Sequence, residues 1–223
     1  MEIKKLDGHS MLDTYNRMIN YLRVSITDRC NLRCMYCMPK EGLSLLGHED
    51  ILKYEEIVRI IRVAVNIGIS KIRITGGEPL VRRGVVDFIA SLSAIQDIRD
   101  ISLTTNGILL ESFAAELFTA GVKRINISLD SLDPVKYAHI TRGGDLGKVL
   151  AGIEAVHRVG FAPIKINTVA IKGFNDDEIV NFAHLSIDKP YQIRFIELMT
   201  LGHAALDQNG RYLSNTVIKE IIE

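Results

Sequence analysis

The chain has 223 residues, with 27 Lys plus Arg against 27 Asp plus Glu and a formal net charge of zero. That length suits one large domain or two small ones, with a full apolar core and no need of disulfide staples. The balanced charge excludes a general nucleic-acid binder, the absence of Trp beside only seven Tyr and seven Phe argues against a stacking platform, and 17 Gly with 5 Pro are too few for a disordered chain.

Residues 1–15 are polar and mixed in charge, without the apolar core of a secretory signal. No stretch approaches 18 uncharged apolar residues, so no membrane span is expected, and a cytoplasmic protein with reduced thiols is. Six runs rich in Ile and Val alternate with polar residues and predict strands over 21–27, 71–75, 101–105, 124–130, 164–170 and 191–198. Helical spacing fills the intervals: 54–68, 84–95, 110–120 ending at Gly121, 148–159 ending at Gly160, and 176–187 opening on Asn175-Asp176-Asp177. A further amphipathic pattern starts at Ser214. Six strand–helix alternations imply a parallel sheet with right-handed crossovers.

The alternation separates two faces. Leu22, Val24, Ile26, Ile72, Ile74, Ile125, Ile127, Ile164, Ile166, Ile193 and Phe195 belong under the helices. The other face is polar on every strand: Arg23, Ser25 and Thr27; Arg73 and Thr75; Ser102 and Thr104; Asn126, Ser128 and Asp130; Lys165 and Asn167; Gln192 and Arg194. An eight-stranded barrel fills its lumen with branched apolar residues, and a doubly wound sheet is apolar on both faces. Four cations on one face instead suit an α/β partial TIM barrel, (β/α)6, whose lumen holds a polar and anionic ligand. A face left open to solvent is the alternative.

All three cysteines, Cys30, Cys34 and Cys37, lie within eight residues just past the first strand, at the rim where parallel α/β proteins place their sites. C-x3-C-x2-C supplies three thiolates, enough for three irons of a [4Fe–4S] cube with the fourth iron open. A structural zinc site wants four ligands, and the six histidines show no paired spacing to this loop. A redox pair Cys34–Cys37 would leave Cys30 idle. Zinc and the redox pair stay as alternatives.

The cysteine spacing with Tyr36 before the last Cys resembles the radical S-adenosylmethionine enzymes. The stretch Tyr-Leu-Arg-Val-Ser-Ile-Thr-Asp-Arg-Cys-Asn-Leu-Arg-Cys-Met-Tyr-Cys-Met-Pro at 21–39 resembles, within them, the GTP 3′,8-cyclase family of molybdenum cofactor biosynthesis. The likeness continues through the motifs at 71–79, 103–107, 125–131, 165–169 and 194–199, and spans about 13–200. It implies a lyase with a [4Fe–4S] cluster on Cys30, Cys34 and Cys37. S-adenosylmethionine would be contacted by Tyr36, Gly77, Ser128 and Met199, with exposed carbonyls and the Glu78 carboxylate accepting from its ammonium group. GTP would be contacted by Arg23, Arg73, Thr104 and Lys165, which the face pattern had placed in the lumen already. The implied reaction cleaves S-adenosylmethionine reductively, takes hydrogen from ribose C3′ of GTP and closes that carbon onto guanine C8. Expected partners are GTP and a reducing electron donor, with a homodimer left open; neither nucleic acid nor membrane is expected.

The family's second cluster, held by three cysteines near the C-terminal end, and its Gly-Gly tail have no counterpart here. This implies a core over 1–200, the start of a truncated region over 201–223, and a chain inactive in cyclisation. Other readings are a different radical enzyme, such as a peptide-modifying one, or a non-catalytic iron–sulfur-binding protein.

Overall fold

Strand-forming runs of Ile and Val set the architecture, and the computed structural model describes residues 4–6, 10–199 and 210–223. Three short strands, β1 (Lys4–Leu6), β2 (Ser10–Leu12) and β3 (Met18–Ile19), pair antiparallel at the start of the chain. They are too short to leave a periodic signal, and the sequence reading had no strands there. The six expected strands all form: β4 (Tyr21–Ser25), β5 (Lys71–Thr75), β6 (Asp100–Thr105), β7 (Val122–Ser128), β8 (Ile164–Ala170) and β9 (Tyr191–Glu197). They make one six-stranded sheet in chain order, every pair parallel.

The connecting helices are α1 (Tyr54–Asn66), α2 (Val85–Ser93), α3 (Leu110–Thr119), α4 (Pro134–Thr141), α5 (Leu146–Val159), α6 (Ile179–Asp188) and α7 (Asn215–Ile222). Their apolar stripes cover one face of the sheet, where Ile72, Ile74, Leu103, Ile125, Ile127, Ile164 and Ile166 meet Ile61, Ile89, Leu117, Val149 and Val156 in one buried cluster. Helix α4 is an addition to the sequence reading. Its start was nonetheless written in the chain: Asp133 caps the amides of Val135 and Lys136, and Pro134 occupies the first turn where no amide is needed. The acidic run 175–178 is a correction. Its acidic part, Asp176–Glu178, forms a 3-10 turn before α6 with Asn175 at its cap, and buried Glu178 accepts from Ser131 Oγ and the amides of Leu132 and Asp133. Helix α7 is capped by Ser214 and packs Leu213 and Ile218 against Ala170, Ile179 and Phe195. The expected boundary at residue 200 lies outside the described residues.

The sheet curls. Arg73 on β5 lies close enough to Arg194 on β9, four strands away, for the two charges to oppose each other. A flat sheet would hold strands so separated about 19 Å apart. The curl makes the polar face concave, the partial barrel that the alternation implied.

Candidate active site at the carboxyl ends of the strands

The cysteine loop leaves β4 and is braced from three directions. Helix α4 offers its last carbonyls: Arg33 N donates to Thr141 O at 3.2 Å and Met35 N to Ile140 O at 2.9 Å. Arg142, in the left-handed conformation that ends α4, sends Nη1 to the carbonyls of Arg33 (3.0 Å) and Met38 (2.8 Å). Arg33 Nη1 closes the loop on itself, donating to Cys30 O at 2.7 Å. The charged donors against main-chain carbonyls fix a segment that has no regular structure of its own.

The turn after β5 is the second brace. Gly77 N donates to Thr27 O at 2.7 Å and Glu78 N to Arg29 O at 2.8 Å. A Cβ on Gly77 would lie 2.3 Å from the Arg29 carbonyl oxygen, so glycine is required by the approach of two backbones. This corrects the expected role of the following acid. Glu78 is 1% exposed, and its carboxylate is filled from inside the protein: Oε1 accepts from Leu80 N (3.0 Å) and Thr105 Oγ1 (2.8 Å), Oε2 from Asn106 N (2.7 Å). Burial pushes its pKa up and these donors hold it down. Glu78 therefore ties the β5 turn to the end of β6 and does not reach out to an ammonium group.

Through that tie Asn106 reaches the cysteines. Its Nδ2 donates to Asn31 Oδ1 at 2.7 Å and lies 3.7 Å from Cys30 Sγ, and Leu32 N points at the same sulfur from 3.4 Å. The sequence reading missed Asn106 because a polar residue before Gly107 has the ordinary signature of a turn.

Tyr36 forms the third brace. Its hydroxyl donates to Asp130 Oδ2 at 2.7 Å, and Val169 N donates to Asp130 Oδ1 at 2.9 Å. Asp130, which continues the polar alternation of β7, is 3% exposed. Burial raises its pKa to about 6, against the opposing effect of those two hydrogen bonds. A carboxyl whose folded value lies above its ordinary 3.8 contributes stability fully present below that value and lost as pH rises through about 6. The shift of roughly two units corresponds to something on the order of 3 kcal/mol. In the metal-free chain, Asp130→Asn should thus gain on the parent between pH 4 and 6.5 in urea denaturation. A stability difference independent of pH would contradict the assignment.

The concave face carries the cations. Register sets Arg23 beside Arg73, Arg73 beside Ser102 and Ser102 beside Arg124; Thr104 neighbours Asn126, Asn126 neighbours Lys165, and Asn167 neighbours Arg194. Arg124 is a fifth cation that the pattern reading had left out, ion-paired with Asp100. Lys165 is 9% exposed, and its pKa is lowered by burial first and then by Arg194, Arg124 and Arg73. Arg73 is lowered by burial and by Arg23, Arg194 and Arg124, and its Nε is buried without a partner. Ser128 ends β7 opposite Asn167. Met199 follows β9, 69% exposed, after buried Leu198, which shares a small apolar cluster with Ile140, Ile171 and Tyr36.

The thiols suit a soft cationic group. Cys34 is pushed up to about 12 by burial and then by Asp130, Cys37 and Cys30; Cys37 is raised by burial and by Cys30. Their anionic forms are close enough to repel, and a metal that takes thiolates removes the penalty. Amide donors at the Cys30 sulfur are the outer contacts that such ligands use. Among the described residues, no three His, Cys, Asp or Glu are gathered at ligand spacing. The loop carries three free thiols, Cys30, Cys34 and Cys37.

Residues 24–186 match the family model described as the Radical SAM superfamily. The chain belongs to this superfamily. Within it, the chain is 56% identical over 208 residues to the GTP 3′,8-cyclase of Alkaliphilus oremlandii, covering 93% of this chain and 65% of that one. It is 54% identical over 213 residues to the GTP 3′,8-cyclase of Alkaliphilus metalliredigens, covering 96% and 67%. The chain thus spans about two thirds of the length of these curated relatives. The radical SAM fold recurs at low identity in Streptococcus suis SuiB bound to S-adenosylmethionine (TM-score 0.69, 16% identity, 91% of this chain and 46% of that one). It recurs also in coproporphyrinogen III oxidase of Escherichia coli (TM-score 0.60, 13% identity, 91% and 50%). Neither shares enough sequence to extend the comparison beyond architecture. No helix among the described residues is long and apolar enough to cross a membrane.

Proposed function

We propose that this chain carries the S-adenosylmethionine-cleaving and triphosphate-binding parts of a GTP 3′,8-cyclase acting in the cytoplasm. The observation that carries the reading is the joining of two features in one concavity: a braced three-cysteine loop at the rim and five converging cations on the sheet below it. A peptide-modifying radical enzyme has no use for that much positive charge.

Cys30, Cys34 and Cys37 would hold a [4Fe–4S] cluster. Bound there with S-adenosylmethionine and reduced by an external one-electron donor, it supplies the radical cleavage that begins this class of reaction. The chain's own residues bind and orient. The Gly76–Gly77 turn brings main chain to the rim, within reach of the amino acid part of S-adenosylmethionine. Tyr36, held by Asp130, fixes the backbone between two ligands beside the adenine. Ser128 and Met199 flank the same mouth from β7 and β9. Arg23, Arg73, Thr104 and Lys165 take the triphosphate, Arg as bidentate forks and Lys as a point charge. Phosphates anchored on the sheet would leave the ribose and guanine directed towards the rim, where positioning of the reacting carbon decides the rate.

All three cysteines of the 223 residues are used in that loop, so none remains to grip guanine through a second cluster. A misplacement of about 1 Å can cost on the order of a hundredfold in rate. Anaerobic incubation of the reconstituted chain with dithionite, S-adenosylmethionine and GTP, read by chromatography, should yield 5′-deoxyadenosine slowly and little or no 3′,8-cyclo-7,8-dihydro-GTP. Absence of 5′-deoxyadenosine from protein carrying four irons would overturn the reading. Robust cyclisation would overturn the account of guanine binding.

A further inference from the structure

Asn106 forms an ordinary Asx turn and adds two contacts that the turn does not require. Its main-chain amide is pinned at 2.7 Å to Glu78, a carboxylate 1% exposed. Its side-chain oxygen accepts from Ile108 N at 3.1 Å, which fixes the plane of the amide and turns Nδ2 outward. Nδ2 then faces the cysteine loop, donating to Asn31 Oδ1 at 2.7 Å with Cys30 Sγ at 3.7 Å. Nδ2 thus has both Asn31 Oδ1 and Cys30 Sγ within donor reach. The carboxylate that holds it is also bonded to Thr105 and Leu80, so the donor is built into two strand ends and does not swing with the loop.

We propose that Asn106 is a positioning residue that tunes the reduction potential of the group held by Cys30, through an N–H···S hydrogen bond to that thiolate. A one-electron reduction adds negative charge to the metal–sulfur group, and part of that charge resides on the ligand sulfurs. A donor aimed at one sulfur favours the reduced form and raises the potential, as hydrogen bonds to cluster sulfurs do generally. The electron comes from an external one-electron reductant and remains on the cluster; no bond forms or breaks in this step. Glu78, buried and bonded to Leu80, Thr105 and Asn106, is the post that aims the donor. The inference rests on the three-thiolate reading of the loop and is independent of the substrate.

The test is a redox titration of the reconstituted chain without S-adenosylmethionine, followed by electron paramagnetic resonance, for the parent, Asn106→Ala and Asn106→Ser. Iron and sulfide are counted first. Asn106→Ala should keep its irons and show a lower midpoint, so that the reduced-to-oxidised ratio at a fixed potential falls several-fold; a tenfold fall corresponds to about 59 mV for one electron. Asn106→Ser, which retains a shorter donor, should lie between. Electron–nuclear double resonance should show one fewer exchangeable proton coupled to the reduced cluster in Asn106→Ala than in the parent, the Leu32 amide proton at the same sulfur remaining in both. Midpoints equal to the parent in both variants would overturn the proposal. Loss of iron from both would overturn it as well, since the amide would then build the loop and not tune it. Absence of iron from the parent itself would overturn the cluster reading instead.

Discussion

Replacing any one of Cys30, Cys34 or Cys37 by alanine should abolish the iron content of the reconstituted chain, from about four irons to none. A cubane held by three thiolates has no fourth protein ligand in reserve, and two remaining sulfurs cannot retain it. The loop itself should survive each change. Its braces are the α4 carbonyls, Arg142, the Gly77 turn and the Tyr36–Asp130 bond, and none passes through a cysteine sulfur. Thermal unfolding of the metal-free variants should therefore stay close to the parent. A variant that keeps visible absorbance and three or more irons would remove that cysteine from the ligand set.

Neutralising the lumen cations should act in opposite directions on binding and on stability. Lys165→Met, Arg73→Ala and Arg23→Ala each remove a charged contact worth about 1.5–3 kcal/mol, or roughly ten- to a hundredfold in GTP affinity. The nucleotide-free protein should meanwhile be no less stable, and Lys165→Met more stable. Burial and the neighbouring Arg194, Arg124 and Arg73 hold the Lys165 pKa below its ordinary value, so the charged form is disfavoured in the fold. The sign is that of a depressed lysine: the charge costs stability at neutral pH, and the cost disappears as pH rises through its folded value. Calorimetric titration with GTP and thermal scans without it measure the two effects. Unchanged GTP affinity in all three variants would place the triphosphate elsewhere.

Much of this was legible in the chain. Period-two alternation found all six strands of the sheet, and it separated the apolar face from the cationic one because a parallel strand with one polar face has no ambiguous register. The cysteine spacing was legible because all three lie on one short loop. What the pattern hid were contacts made by single residues far apart in sequence. Asp130 continued the alternation of β7, and that alternation gave no sign of its bond to Tyr36, 94 positions away. Glu78 stood in a motif whose likeness suggested a ligand contact, whereas Thr105 and Asn106 saturate it from the next strand. Arg124 opens the polar face of β7 and escaped notice because its partner Asp100 lies one residue before the expected start of β6. Helix α4 was not foreseen, since eight residues give the periodicity little to work on, although the Asp133-Pro134 start was present.

The account stands most directly on what the cysteine loop binds. The measurement is the electron paramagnetic resonance spectrum of the anaerobically reconstituted, dithionite-reduced chain, recorded before and after addition of S-adenosylmethionine. The expected result is a brown protein with about four irons, a reduced-cluster signal, and a change in that signal on addition, because an iron without a protein ligand takes the new one. Stoichiometric zinc with no visible absorbance, or a cluster signal indifferent to S-adenosylmethionine, would contradict it.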